Sequence, residues 1–179
     1  MQDYVVRSTV THAESAARRA ADVIIMLFLC AAAVLVLFRF IWAPVVTSDP
    51  LVEGVNDGEV LLVDRVSKFF REYRPGDLVR ADIGDGMNIY RVAAAGEAEV
   101  ILRGGCLYVD GGLLDESAYA RGWDPALDSE ITVPKGSVLL LPDDRTGVEG
   151  LESHILPVGR IYGRLLFRVY PLNRFAIFN

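Results

Sequence analysis

Residues 78–111 read LVRADIGDGMNIYRVAAAGEAEVILRGGCLYVDG, and the rhythm of this stretch decides the fold class. Four short apolar or β-branched runs occur here: Leu78–Ala81, Ile89–Ala93, Glu99–Leu102 and Leu107–Val109. Gly84-Asp85-Gly86, Gly104-Gly105 and Asp110-Gly111-Gly112 separate them. Runs of this length bounded by Gly and Asp read as strands, because these residues adopt turn conformations that others resist. Tyr108-Val109-Asp110-Gly111 is a hairpin signal, since an Asp-Gly pair tolerates the two positive φ values of a type I′ turn. The same rhythm continues outward. Val60–Val63 and the Pro75-Gly76-Asp77 turn lie upstream. Ile131–Val133, Val138–Leu141 and Ile161–Val169 lie downstream, with turns at Pro134-Lys135-Gly136 and Pro142-Asp143-Asp144. Ser67–Tyr73 (SKFFREY) fits one helical turn or a long loop. The expectation is a mainly β domain, built as an antiparallel folded or barrel-like sheet.

Upstream of the strands the pattern changes. Val23–Phe38 (VIIMLFLCAAAVLVLF) carries no charge, and apolar residues resume after Arg39 as far as Val46. Read through to Val46 this is ~24 residues, about 36 Å of helix, enough to cross a bilayer with some tilt. Arg39 can snorkel, Trp42 suits the interface, and Pro44 marks the helix exit. Arg7, Arg18 and Arg19 precede the segment, and the positive-inside rule then keeps the N-terminus in the cytoplasm. RFIWAPVV offers no small-x-small cleavage site, so the segment reads as a retained single-pass anchor rather than a signal peptide. The resulting division is a cytoplasmic tail at 1–22, a transmembrane anchor at 23–46 and an extracytoplasmic β domain at 47–179. Residues 44–58 form a turn-rich lead-in to that domain.

Composition excludes several functions. The net charge is −6, and with no Lys/Arg block there is no electrostatic support for nucleic-acid binding. His12 and His154 are far apart and sit in no ligand-spaced cluster, so no metal or other cofactor is expected. Cys30 and Cys106 imply no disulfide and read as small buried apolar residues.

Several segments, taken in order, resemble bacterial type I signal peptidases. Asp49–Arg65 (DPLVEGVNDGEVLLVDR) is similar to the family's D-S-M-x-P-x-x-x-D-G-D-x-V-L-V-x-R/K. Arg74-Pro75-Gly76-Asp77-Leu78-Val79 resembles R-G-D-I-V, and Tyr90-Arg91-Val92 resembles K-R-V. Cys106–Gly111 resembles G-x-L-Y-V-N-G, and the stretch from Val133 (VPKGSVLLLPDDR) resembles V-P-x-G-x-x-F-x-L-G-D-N-R. The ending Gly163–Asn173 is similar to the Gram-positive type. The resemblance implies the family's β domain behind one transmembrane helix. It also implies an activity, in which a serine attacks the peptide carbonyl and a lysine kept neutral by burial takes its proton.

Aligned without gaps from Asp57-Gly58-Glu59, the serine position falls on Pro50 and the lysine position on Tyr90. Pro50 carries neither a nucleophile nor the backbone N–H that would help hold an oxyanion. Tyrosine, with a reference pKa of about 10, is no ready base at pH 7. The family's supporting G-D-N-R-x-x-S-x-D-S has drifted to Pro142–Leu151. Asp143 and Asp144 read as a turn with Arg145 as partner. The resemblance therefore implies no catalytic residue at the two expected positions. It is closest in kind to the family members of Gram-positive pilus gene clusters that lack the pair. The expected function is binding of exported precursors, with pilin subunits as candidate clients, through Asp49, Leu51, Glu53 and Tyr90. The alternative is an active serine endopeptidase that removes signal peptides, with Ser48 as a fallback nucleophile. A third reading is a scaffold subunit that pairs with an active peptidase.

Overall fold

The computed structural model describes residues 2–84 and 86–178, with side chains from Arg18 onward except Leu37 and Phe40. Asp85 of the expected turn and the side chain of His12 lie outside these. The chain divides into two compact units, Met1–Phe40 and Ile41–Asn179.

The first unit is a helix, α1 (Gln2–Ile41). Within it, Arg18–Val36 is long and apolar enough to cross a membrane. Its large side chains are uncovered by protein, Phe28 being 72% and Leu35 69% exposed. Apolar side chains left open all round a helix suit a lipid environment, which fits a membrane-anchored protein.

The second unit is mainly antiparallel β. Its strands are β1 (Trp42–Val46), β2 (Val60–Asp64), β3 (Leu78–Asp82), β4 (Met87–Ala95), β5 (Glu99–Arg103) and β6 (Cys106–Val109). They continue as β7 (Gly112–Leu113), β8 (Ser129–Thr132), β9 (Ser137–Leu141), β10 (Ile155–Pro157), β11 (Gly163–Tyr170) and β12 (Ala176–Ile177). The larger sheet is a curled half-barrel that runs β1-β2-β11-β3-β4-β9-β10, with β12 paired to β11; the smaller runs β7-β6-β5-β8. All eight strand runs read from the sequence are present, their ends shifted by a residue or two.

One boundary moves. The anchor was expected to run to Val46 with the helix exit at Pro44, but the helix ends at Ile41 and Trp42–Val46 pairs with β2. Pro44 cannot donate inside a helix, and Val45 and Val46 are β-branched. A proline is tolerated in β1 because this strand is an edge, with β2 as its neighbour. The apolar stretch therefore serves both units: helix up to Ile41, sheet from Trp42.

Strand alternation sorts the core into three clusters. β9 is buried along its whole length because it is packed on both sides. Val138 and Leu140 meet Tyr73, Val79, Tyr90 and Ile161 on one face. Leu139 and Leu141 meet Val100, Leu102, Leu107 and Ile131 of the smaller sheet on the other. The continuous run Val138–Leu141 reflects this two-sided burial. The third cluster gathers Val45, Leu61, Val63, Ile89 and Leu165 with Val52 and Val55 from the β1–β2 connection. The Asp110-Gly111 turn has positive φ at both residues (50° and 75°), as a two-residue hairpin requires. Cys106, expected to be buried, is exposed, because it is Leu107 that β6 turns inward.

Candidate functional site

Two strand segments near the β1–β2 connection have an unpaired edge among the described residues. β1 pairs with β2 on one side. β4 pairs with β3 from Met87 to Arg91, but with β9 only from Arg91 onward, so Met87–Tyr90 has an open side. A shallow groove of about 20 Å³ lies between these segments. Val46, Ser48 and Pro50 wall it from one side, and Met87, Asn88 and Ile89 from the other, with Arg80 beside them. That volume holds about one water molecule, so a peptide would lie over this groove rather than inside it.

The loop that follows β1 is clamped at three points. Asn88 Nδ2 donates to the Asp49 carbonyl (3.1 Å). The Leu51 carbonyl accepts from the Asp143 N–H (2.8 Å). The Asp143 carboxylate accepts from the Glu53 N–H (2.7 Å). Asp49 itself has φ 49°, a left-handed conformation uncommon for a residue with a side chain and unfavourable before proline. The clamps over-determine this strained turn, and strain held in this way clusters at functional sites.

Asp143 is the hub of the site. Its carboxylate takes Arg91 Nε (2.9 Å) and Nη2 (2.8 Å) in a bidentate pair, with the Asp143 side chain 2% exposed. Arg91 also reaches the Gly76 carbonyl (3.3 Å), and its guanidinium lies 4.0 Å from the Tyr119 ring centroid. The expected Asp143–Arg145 partnership is therefore corrected. Arg145 turns away to the Glu116 carboxylate and the Pro142 carbonyl, its side chain fully buried. Burial pulls the Arg145 pKa below its ordinary value, while Glu116 opposes the shift. Asp144 caps its own turn by accepting from the Thr146 N–H (3.0 Å).

The residues expected at the site are only partly brought together. Ser48 and Pro50 share the groove wall. Leu51 is 36% exposed, while Glu53 is exposed and pairs with Arg121 (3.0 Å). Tyr90, expected on the peptide-facing surface, is 1% exposed and packs among Val79, Val92 and Leu140. Ile89 reaches the groove although it too is buried, while Tyr90 lies wholly within the core. Lys68 and Lys135 line a different cleft. The cation beside the groove is Arg80.

A family model described as "Signal peptidase, peptidase S26" matches residues 20–169, which hold the apolar helix and every strand of the groove. The chain belongs to the signal peptidase S26 family. It is similar to a protein of Synechocystis sp. described as "Probable signal peptidase I-1", with 29% identity over 168 residues, covering 85% of this chain and 84% of that protein. The signal peptidase plan accounts for the helix followed by a curled antiparallel sheet. The Arg91–Asp143 pair joins two of the quoted motifs, Tyr90-Arg91-Val92 and Pro142-Asp143-Asp144-Arg145, across the β4–β9 boundary. Sequence reading missed it because the neighbouring Arg145 offered a nearer partner. Asn88 and Arg121 were also missed; nothing in their local sequence marks them.

Proposed function

We propose that this chain is a membrane-anchored, signal peptidase I-like protein that binds exported precursors without cleaving them. The observation that carries this reading is the chemistry of the groove wall. The family's nucleophile position is held by Pro50, which lines the groove. The family's base position is held by Tyr90, which is buried in an apolar cluster. An extended segment laid between two open strand edges gains main-chain hydrogen bonds and needs no nucleophile. The N-terminal tail is then cytoplasmic and the β unit extracytoplasmic, where the anchor raises the local concentration of emerging clients. Pilin subunits are the client class suggested by the family members that have lost the same pair.

A second reading is supported by one observation: Ser48 lies in the same groove wall and is exposed. On that reading the chain is an active serine endopeptidase. Full-length protein in liposomes, incubated with a preprotein, separates the two. The expected result is no cleavage, together with photocrosslinks from Leu51 or Met87 to the intact precursor. Loss of a serine nucleophile or its base in an unrelated serine protease costs about a millionfold in turnover, so none should be detected. Cleavage that disappears in Ser48→Ala would establish the peptidase reading instead.

A further inference from the structure

We infer that Arg65 and Arg80 form a carboxylate-binding pair beside the groove, so that the segment bound there is one carrying an acidic residue. This rests on the precursor-binding reading and adds to it the charge of the client.

The strand pattern puts both cations at the border of one core cluster. Leu61 and Val63 of β2 and Leu78 of β3 belong to the cluster that also holds Val45 and Ile89 of the groove wall. Side chains two positions apart share a face of a strand. Arg65 is the next position after Leu61 and Val63, and Arg80 the next after Leu78; both are half-buried. Both lie over the ring of Tyr162, which packs against the same cluster. The ring centroid is 5.0 Å from the Arg65 guanidinium carbon and 5.3 Å from that of Arg80. The Tyr162 N–H donates to the Arg80 carbonyl (2.9 Å), which fixes the tyrosine to β3.

Two like charges are thus gathered on one ring, and neither meets a carboxylate among the described residues. Arg91, Arg121, Arg145, Arg164, Arg168 and Arg174 each meet one. The acids nearest in sequence are engaged in their own turns. Asp64 Oδ1 accepts from the N–H groups of Val66 (2.8 Å) and Ser67 (3.0 Å). Asp82 Oδ1 accepts from those of Gly84 (2.9 Å) and Gly86 (3.2 Å). Contact with a ring engages the face of a guanidinium and leaves the donors on its edge for an acceptor. That fork matches a carboxylate, which would also relieve the repulsion between the two cations. Since Arg80 lines the groove, the carboxylate that reaches it is one borne by the segment laid there. The chain carries a net charge of −6, so an acidic segment is repelled by the protein at large and gains at this pair. Such a contrast gives selection as well as affinity.

The test uses the full chain in dodecyl maltoside and dansyl-labelled Val-Ala octapeptides with a single glutamate, moved one residue at a time, each beside its glutamine version. Fluorescence anisotropy gives the affinity ratio of each pair of peptides. At one register the glutamate peptide is expected to bind several-fold more tightly, by a margin that shrinks as salt rises. Arg80→Gln should bring the ratio close to one, Arg80→Lys should keep part of it, and Arg65→Gln should weaken it with Arg80 in place. Thermal melts check that each variant is folded; should Arg80→Gln fail to fold, Arg80→Lys and Arg65→Gln carry the comparison. Equal affinity for the glutamate and glutamine peptides at every register overturns the proposal and leaves precursor binding standing. A preference that survives undiminished in the variants overturns its assignment to these two residues. Binding of neither peptide overturns the precursor-binding reading and the proposal together.

Discussion

Replacing Asp143 with alanine tests whether one buried carboxylate organises the groove. The side chains of Asp143 and Arg91 are 2% and 15% exposed, and the substitution leaves the Arg91 guanidinium without its bidentate partner. Removing one member of a buried pair costs about 3–5 kcal/mol, mostly through the stranded charge. Arg91 keeps the Gly76 carbonyl and the Tyr119 ring, and some water reaches it, which places the cost near the lower end, about 3 kcal/mol. For a domain of roughly 140 residues this lowers Tm by about 10 °C. The Glu53 N–H also loses its acceptor, while the Leu51 carbonyl keeps the backbone N–H of residue 143. Denaturant unfolding of the full chain in detergent, beside Arg91→Ala and the double variant, gives the coupling directly. The double variant should cost less than the sum of the singles by more than about 1 kcal/mol. Asp144→Ala, which removes only a local turn cap, should leave the midpoint unchanged. A loss below about 1 kcal/mol for Asp143→Ala, additive singles, or an equal loss for Asp144→Ala would refute the hub assignment.

Further outcomes follow from other buried groups. Glu116→Ala strands the fully buried Arg145 guanidinium and should cost about 3–5 kcal/mol, with Glu116→Gln milder because an acceptor remains; urea midpoints compare them. Burial pushes the Tyr73 hydroxyl up to about 12, against an opposing Arg164. The folded chain therefore holds that proton after the unfolded chain has lost it. The stabilising contribution is whole below pH 10 and is lost as pH rises from about 10 towards 12, and Tyr73→Phe should remove that alkaline loss in a pH series of melts. At neutral pH the same variant should be nearly neutral, since the buried hydroxyl makes no hydrogen bond among the described residues. Gly163→Ala would press a methyl group against the Asp64 carbonyl oxygen, 2.7 Å from Val63 Cγ1, and should cost about 1–3 kcal/mol by calorimetry.

The β domain was legible because its information is local. Apolar runs, Asp-Gly turns and the unbroken Val138–Leu141 strand each say what they form without knowing their neighbours. The strands missed were those whose existence depends on a partner. Trp42–Val46 looks like the tail of an apolar helix until β2 supplies an edge to pair with. β7, β10 and β12 have two or three residues each, too few for any period to show. At the candidate site, the identities of Pro50 and Tyr90 could be read, but not their directions. The groove takes its β4 residues from Met87–Ile89, the part of the strand that β9 leaves unpaired, and that depends on where β9 stops. Arg91 and Asp143 stood in plain view within two motifs, yet which arginine an aspartate takes is a tertiary fact.

The clamp on the groove loop has a consequence in time. Glu53 is held by a residue 90 positions further along the chain. A chain made from its N-terminus presents β1 and its strained turn long before β9 and Asp143 exist. Until they do, the turn at Asp49 has Asn88 alone of its clamps, and contacts as distant in sequence as Glu53 to Asp143 form late. The groove thus acquires its finished shape only when nearly the whole domain has been made.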